Sequence, residues 1–143
     1  MSGLITLPTR ADARGALTFI EGGRHVPFPL ARIFLIYGVA PGYDRGHHAH
    51  RRCRQVVIAM SGAVTVAIED GTSSSRVRLD SPVTGLLIEP MEWHTLEDFA
   101  PGTACLVLAS QRYDEADYIR DHDAFLREVA RRRQAGAPDP ALR

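Results

Sequence analysis

The sequence predicts an all-β fold of antiparallel strands, a sandwich or barrel, closed by one C-terminal α-helix. Three observations predict it. Between about Arg32 and Tyr113 the chain runs in short apolar stretches broken by turn residues, with no helical period between them. Strands that follow one another without intervening helices pair antiparallel. After Tyr113 the period changes to that of an amphipathic helix.

The strand-like runs are Ile33–Val39, Val56–Met60, Ala63–Glu69, Val77–Leu79, Gly85–Ile88 and Ala104–Ala109. Ser61-Gly62 and Asp70-Gly71 are tight-turn signals, and Asp80-Ser81-Pro82 and Ala100-Pro101-Gly102 punctuate the later strands. Ahead of these runs, Arg14-Gly15 precedes the β-favouring Leu17-Thr18-Phe19-Ile20, a strand that pairs either within its own sheet or with a second subunit. From 114 the acidic Asp114, Glu115 and Asp117 open a helix that continues through Ile119, Leu126, Val129 and Ala130. It closes on Arg131, Arg132 and Arg133, which complements the helix dipole. The expected organisation is one domain over 1–143: a β body from about 4 to 113, the helix over 114–134, and a frayed tail over 135–143.

Composition narrows the function. With 143 residues and 45% apolar content the chain can close one core. Its formal charge is zero, so no field draws it to nucleic acid or to an anionic membrane. All 17 basic residues are arginine, which removes Schiff-base lysines and phosphate-loop lysines from consideration. No G-x-S-x-G elbow is present. Cys53 and Cys105 have no redox or metal spacing, and no run is apolar enough to span a bilayer. With no signal-like segment, the expectation is a cytoplasmic protein with free thiols.

The chemistry concentrates in Arg45-Gly46-His47-His48-Ala49-His50. On a strand, residues two apart share a face, so His48 and His50 project together. A same-face imidazole pair either ligates a metal or moves protons. Further donors are Gln55 and His94. The spacing Gly42-x5-His48-x-His50-x4-Gln55-x6-Gly62 resembles the first cupin motif, and Gly85 to His94 resembles the second, one residue short. That likeness implies a cupin jelly roll. Gln55 stands where the motif carries Glu, and a neutral amide lacks the charge that holds a divalent cation. The residues therefore favour acid–base chemistry with no metal and no cofactor.

A narrower resemblance, to the nucleotide-sugar 3,4-ketoisomerases of the WxcM-like family, covers Leu4 to about Ala130. It is carried by Asp12-Ala13-Arg14-Gly15-x-Leu17, Pro27-Phe28, Arg32-Ile33-Phe34 and Arg45-Gly46-His47-His48-Ala49-His50. It continues through Leu79-Asp80-Ser81-Pro82, Trp93-His94, Asp98-Phe99 and Tyr113-Asp114-Glu115-x-Asp117-Tyr118-Ile119-Arg120. The resemblance implies a homodimer that converts a dTDP-linked 4-keto-6-deoxyhexose to its 3-keto isomer. In that frame His50 is the base that shuttles the proton and His48 positions the sugar. Tyr37 hydrogen-bonds the enediolate or simply ends a core strand. Arg45, Arg14 and Arg32 meet the diphosphate. Trp93 stacks on the ligand or packs in the core, and His94 and Glu97 border the sugar. Glu97 falls where some members carry a basic residue, in the neighbourhood that bears on the C4 configuration of the product. The alternatives are a metal-dependent cupin using His48, His50, Gln55 and His94, a 3,5-epimerase, and a non-catalytic ligand-binding cupin.

Overall fold

The structure, a computed structural model, describes residues 3–136. Eleven strands form the body: β1 Gly3–Thr6, β2 Thr9–Asp12, β3 Gly15–Thr18, β4 Arg32–Tyr37, β5 Arg45–His50, β6 Gln55–Ser61, β7 Val64–Glu69, β8 Ser74–Leu79, β9 Thr84–Ile88, β10 Trp93–Glu97 and β11 Ala104–Ala109. A 3-10 turn at Glu115–Asp117 leads into the two-residue strand β12, Tyr118–Ile119, and then into α1, His122–Gly136. Two five-stranded antiparallel sheets, β1-β9-β6-β11-β4 and β12-β5-β10-β7-β8, face each other, and β2-β3 forms a separate hairpin. This is the jelly roll that the strand pattern and the motifs predict. Among the described residues no helix is long and apolar enough to cross a membrane.

The helix starts later than the sequence suggests, at His122 rather than 114. Asp114 accepts from the Ala116 amide and caps the 3-10 turn, and Tyr118–Ile119 then pairs with Ala49–His50. The acidic run thus caps and forms one short 3-10 turn instead of opening a long helix, because the β5 edge offers ladder partners that propensity does not foresee. The expected tail, from 137 onward, lies outside the described residues.

Strand alternation distributes the side chains into three layers. Val57, Val66, Leu79, Leu86, Leu96 and Val107 meet between the sheets. On the outer face of the first sheet, Leu7, Val26 and Phe28 cover Val56, Ile58 and Leu108. On the outer face of the second, Phe125 and Val129 of α1 cover Ala49 and Ile119. The helix is thereby pinned behind the strand that carries the histidines. The β6–β7 turn requires Gly62, whose φ is +71° and where a Cβ would lie 2.3 Å from the Thr103 hydroxyl.

Candidate active site

The inner face of the second sheet changes character across its width. β7 and β8 present Val64, Val66, Ile68 and Leu79, whereas β10, β5 and β12 present His94, His48, His50 and Tyr118. His48 stands opposite His94 in the ladder and Tyr118 stands opposite His50, so all four rings converge. The His48 ring centroid is 4.7 Å from His94, 5.1 Å from His50 and 5.0 Å from Tyr118. The His50 centroid is 4.3 Å from Tyr118. These rings back a cavity of about 440 Å³ that is also lined by Phe34, Ile36, Gln55, Leu96, Arg45 and Arg120.

A β-bulge brings Arg45 into this cavity. Arg45 and His48 are three apart and would face opposite sides of a regular strand. The register shifts by one at Gly46 and His47, both with positive φ, so that Arg45 pairs with Leu96 and His48 with His94. Gly46 is needed there, since a Cβ would sit 3.0 Å from the His94 carbonyl oxygen. His47, the extra residue, is exposed, lies 3.7 Å from Asp44 and borders the cavity with it.

The two histidines of the pair are not equivalent. His48 reaches the cavity wall, while His50 is only 2% exposed and lies one layer behind. The sequence reading gave the role of base to His50 and that of positioning the sugar to His48, whereas His48 is the one of the pair that lines the cavity. Burial, reinforced by the neighbouring imidazoles His94 and His50, pushes the His48 pKa down to about 3. Burial, against the opposing Glu92 carbonyl, brings His94 down to about 4. His50 is also lowered by burial, with Asp117 pulling the other way. All three rings are therefore neutral near pH 7 and hold a lone pair ready to accept a proton. His94 Nδ1 lies 3.1 Å from the Glu92 carbonyl oxygen, which can only accept, so its proton is on Nδ1 and Nε2 is free to accept.

Other predicted residues fall elsewhere. Arg32, Phe34 and Ile36 face inward along β4, so Tyr37, at odd spacing, points out and is 73% exposed. It borders an outer hollow with Tyr43 and Arg45 rather than the histidines. Trp93 precedes His94 and so faces α1, with its ring 5.0 Å from His122 and 5.7 Å from Phe125. Its packing role is the one the structure assigns. Glu97 also faces out, ion-paired with Arg76. Arg14 sits at the tip of the β2–β3 hairpin, exposed and paired with Asp12 at 2.7 Å, rather than with Arg45 and Arg120 in the lining of the histidine cavity. Arg32 stays near the site: its Nη2 lies 3.5 Å from the Tyr118 hydroxyl.

Sequence reading missed Tyr118, Arg120 and Asp117 because their segment was taken for a helix start. The signal available was Tyr118-Ile119, a β-favouring pair that alternates inside and outside. Arg120 is held by both oxygens of Glu115, at 2.6 and 2.9 Å, and lies over the Tyr118 ring at 4.3 Å. Arg45 and Arg120 thus place two guanidinium forks at the cavity, with Arg32 behind Tyr118.

Fold and site together define a cupin whose pocket is equipped for acid–base chemistry by imidazoles, with arginines positioned for an anionic ligand. More narrowly, the chain belongs to the FdtA family (WxcM-like, C-terminal), whose model matches residues 1–130. It is 38% identical over 120 residues to a TDP-4-oxo-6-deoxy-alpha-D-glucose-3,4-oxoisomerase from Aneurinibacillus thermoaerophilus, covering 84% of this chain and 86% of that one. Among solved structures, QdtA, a sugar 3,4-ketoisomerase from Thermoanaerobacterium thermosaccharolyticum in complex with TDP, matches with a TM-score of 0.89 and 37% identity. The match covers 92% of this chain and 96% of that one. A dTDP-4-dehydrorhamnose 3,5-epimerase from Bacillus anthracis, at 17% identity and a TM-score of 0.72 over 82% of this chain and 76% of its own, shares the fold alone.

Proposed function

We propose that this protein is a sugar-nucleotide 3,4-ketoisomerase acting on a dTDP-linked 4-keto-6-deoxyhexose. One observation carries the assignment of roles: neutral His48 stands on the wall of a cavity that also holds Arg45 and Arg120. The arginines suit the diphosphate, because planar guanidinium forks match phosphate oxygens. His48 takes the proton from C3, and the C3–H electrons form the C3=C4 bond of an enediolate as the C4 carbonyl oxygen gains charge. The O3 hydroxyl proton passes to O4 in exchange for a proton delivered to C4, so the carbonyl emerges at C3 with no net change in composition. Tyr118, beside both His48 and His50, is the hydroxyl suited to meet the enediolate, the role that Tyr37 held in the sequence reading. His94 flanks His48 and, with Leu96, sets the floor against which the sugar lies.

The active species is a homodimer. Ile33, Leu35 and Tyr37 form an exposed apolar row on the edge strand β4, and the β2–β3 hairpin is exposed over almost its whole length. A lone two-stranded hairpin is marginally stable in water, and a second copy gives it, together with Arg14, a surface to pack on. The buried free thiols Cys53 and Cys105 suit a reducing cytoplasm.

Proton NMR of dTDP-4-keto-6-deoxyglucose with EDTA-treated protein in deuterated buffer tests the reading. A 3-keto product with deuterium at C4 is expected; exchange and inversion at C3 and C5, or an unchanged spectrum, overturns it. A second reading rests on one further observation, that ring nitrogens of His48, His50 and His94 lie within 4.8 Å of one another. Three imidazoles with Gln55 nearby fit a divalent cation that favours nitrogen, and such an ion would polarise the C4 carbonyl. Activity that disappears with EDTA and returns with added metal would select it.

A further inference from the structure

The segment Tyr113–Arg120 contributes one buried carboxylate for which the proposed reaction has so far had no use. Asp117 is 3% exposed and sits at the end of the 3-10 turn, directly before Tyr118. Its Oδ1 accepts from the Arg52 amide at 2.8 Å. Its Oδ2 accepts from the Cys53 amide at 3.2 Å and lies 3.0 Å from His50 Nδ1. The backbone around it is fixed as well: the Asp117 amide donates to Asp114, and its carbonyl accepts from the Arg51 amide at 2.8 Å. The carboxylate therefore has little freedom to move, and both oxygens are committed as acceptors.

That commitment determines His50. Backbone amides can only donate, so a carboxylate held by two of them presents an acceptor to its third neighbour, and Nδ1 must be the donor. The proton of neutral His50 then resides on Nδ1, and Nε2 carries the lone pair. His50 Nε2 is buried and has no hydrogen-bond partner among the described residues. It belongs to the face shared with His48 and Tyr118, whose cross-strand register with His50 is set by the same β12 segment that positions Asp117.

We propose that Asp117 is a positioning residue for the isomerisation. It locks His50 in the Nδ1–H tautomer, so that Nε2 faces the His48–Tyr118 cluster as the acceptor that relieves His48 of the substrate proton. The proposal rests on the reading of His48 as the base. The step balances as a proton transfer alone: the N–H bond on His48 breaks, one forms on His50 Nε2, and the Asp117 carboxylate stabilises the resulting imidazolium until the proton returns. A ring nitrogen of His48 and one of His50 lie within 4.8 Å of each other, a gap that one bridging hydroxyl or water spans.

Long-range proton–nitrogen NMR of the ring nitrogens in the wild-type protein tests the tautomer without any assay, with His50 assigned by its disappearance in His50→Asn. A proton on Nδ1 is expected, and one on Nε2 overturns the proposal whether or not the enzyme isomerises the tested sugar. Asp117→Asn supplies the kinetic arm. Its amide favours the opposite tautomer, an exchange that costs a serine-protease triad about 10⁴ in turnover. Here kcat should fall at least 30-fold, while KM and the dissociation constant for TDP stay within threefold and the His50 proton moves to Nε2. Unchanged kcat, or a loss confined to KM, overturns the proposal. Should Asp117→Asn fail to fold, the wild-type tautomer still decides. If the tautomer is as expected and wild-type protein yields no 3-keto product, it is the functional reading that fails.

Discussion

The two ends of the jelly-roll interior obey opposite rules. At the β7–β8 end, Val64, Val66 and Leu79 are fully or almost fully buried and make apolar contacts. At the β5–β12 end, four buried polar atoms lack hydrogen-bond partners among the described residues: Arg32 Nε, His48 Nδ1, His50 Nε2 and Gln55 Nε2. A buried polar group without a partner costs roughly 1–3 kcal/mol, so such a cluster weakens the fold. The first end therefore stabilises the molecule. The second is retained for chemistry, since folded chains keep such unsatisfied groups mainly where a ligand completes them.

This contrast can be broken from either side. The largest effect is expected from His48→Asn, which should lower kcat by about 10²–10⁴-fold while leaving the melting temperature unchanged or raised. A comparable loss of stability with native activity would mean that the polar end is structural after all. From the other side, Leu79→Ala should cost about 2–5 kcal/mol in urea unfolding while preserving kcat/KM at low temperature.

Acid should separate the ends next. The folded-state pKa values of His48 and His94 lie below that of an unfolded histidine, so the unfolded chain binds more protons at acid pH. Stability is then full above about pH 6.5 and declines as pH falls toward 4 and below. Removing one such group in His94→Asn should lessen the slope by up to about 1.4 kcal/mol per pH unit, measured by urea titration across that window. An unaltered slope would show that His94 is not held neutral by its burial.

The smallest effect sharpens the comparison within the site. Tyr118→Phe should lower kcat about tenfold with little change in KM, whereas Tyr37→Phe, on the outer face, should leave turnover per active site intact. Equal losses in both would return Tyr37 to the chemistry.

Much of the first end was legible in the sequence, because local periodicity is a local property. Val64, Val66 and Ile68 alternate, Ser61-Gly62 turns, and the run of β7 appears where the pattern puts it. The site was legible only where its residues share one strand. His48 and His50 were recognisable as a same-face pair, and their spacing to Gln55 and His94 supplied two more members. Arg45 was chosen by its chemistry, but the bulge that turns it inward depends on contacts with Thr95 and Leu96 that lie some fifty residues away. Tyr37, Trp93 and Glu97 face away from the histidines for one reason: each lies an odd number of residues from an inward-facing neighbour, which an uninterrupted strand sends to the other side.

By itself, then, the sequence determined the sheet-forming runs, the turn positions, the histidine pair and the family to which they belong. All of these are written in short-range spacing. Tertiary structure alone decided which histidine meets the cavity, that Asp117 orients the other, and that Tyr118 and Arg120 complete the pocket. Those facts depend on β12 pairing with β5 across 68 residues of chain, from Tyr118 back to His50. No local propensity encodes such a pairing; it is fixed by the burial of Ile119 and Ala49 beneath Phe125 of the C-terminal helix.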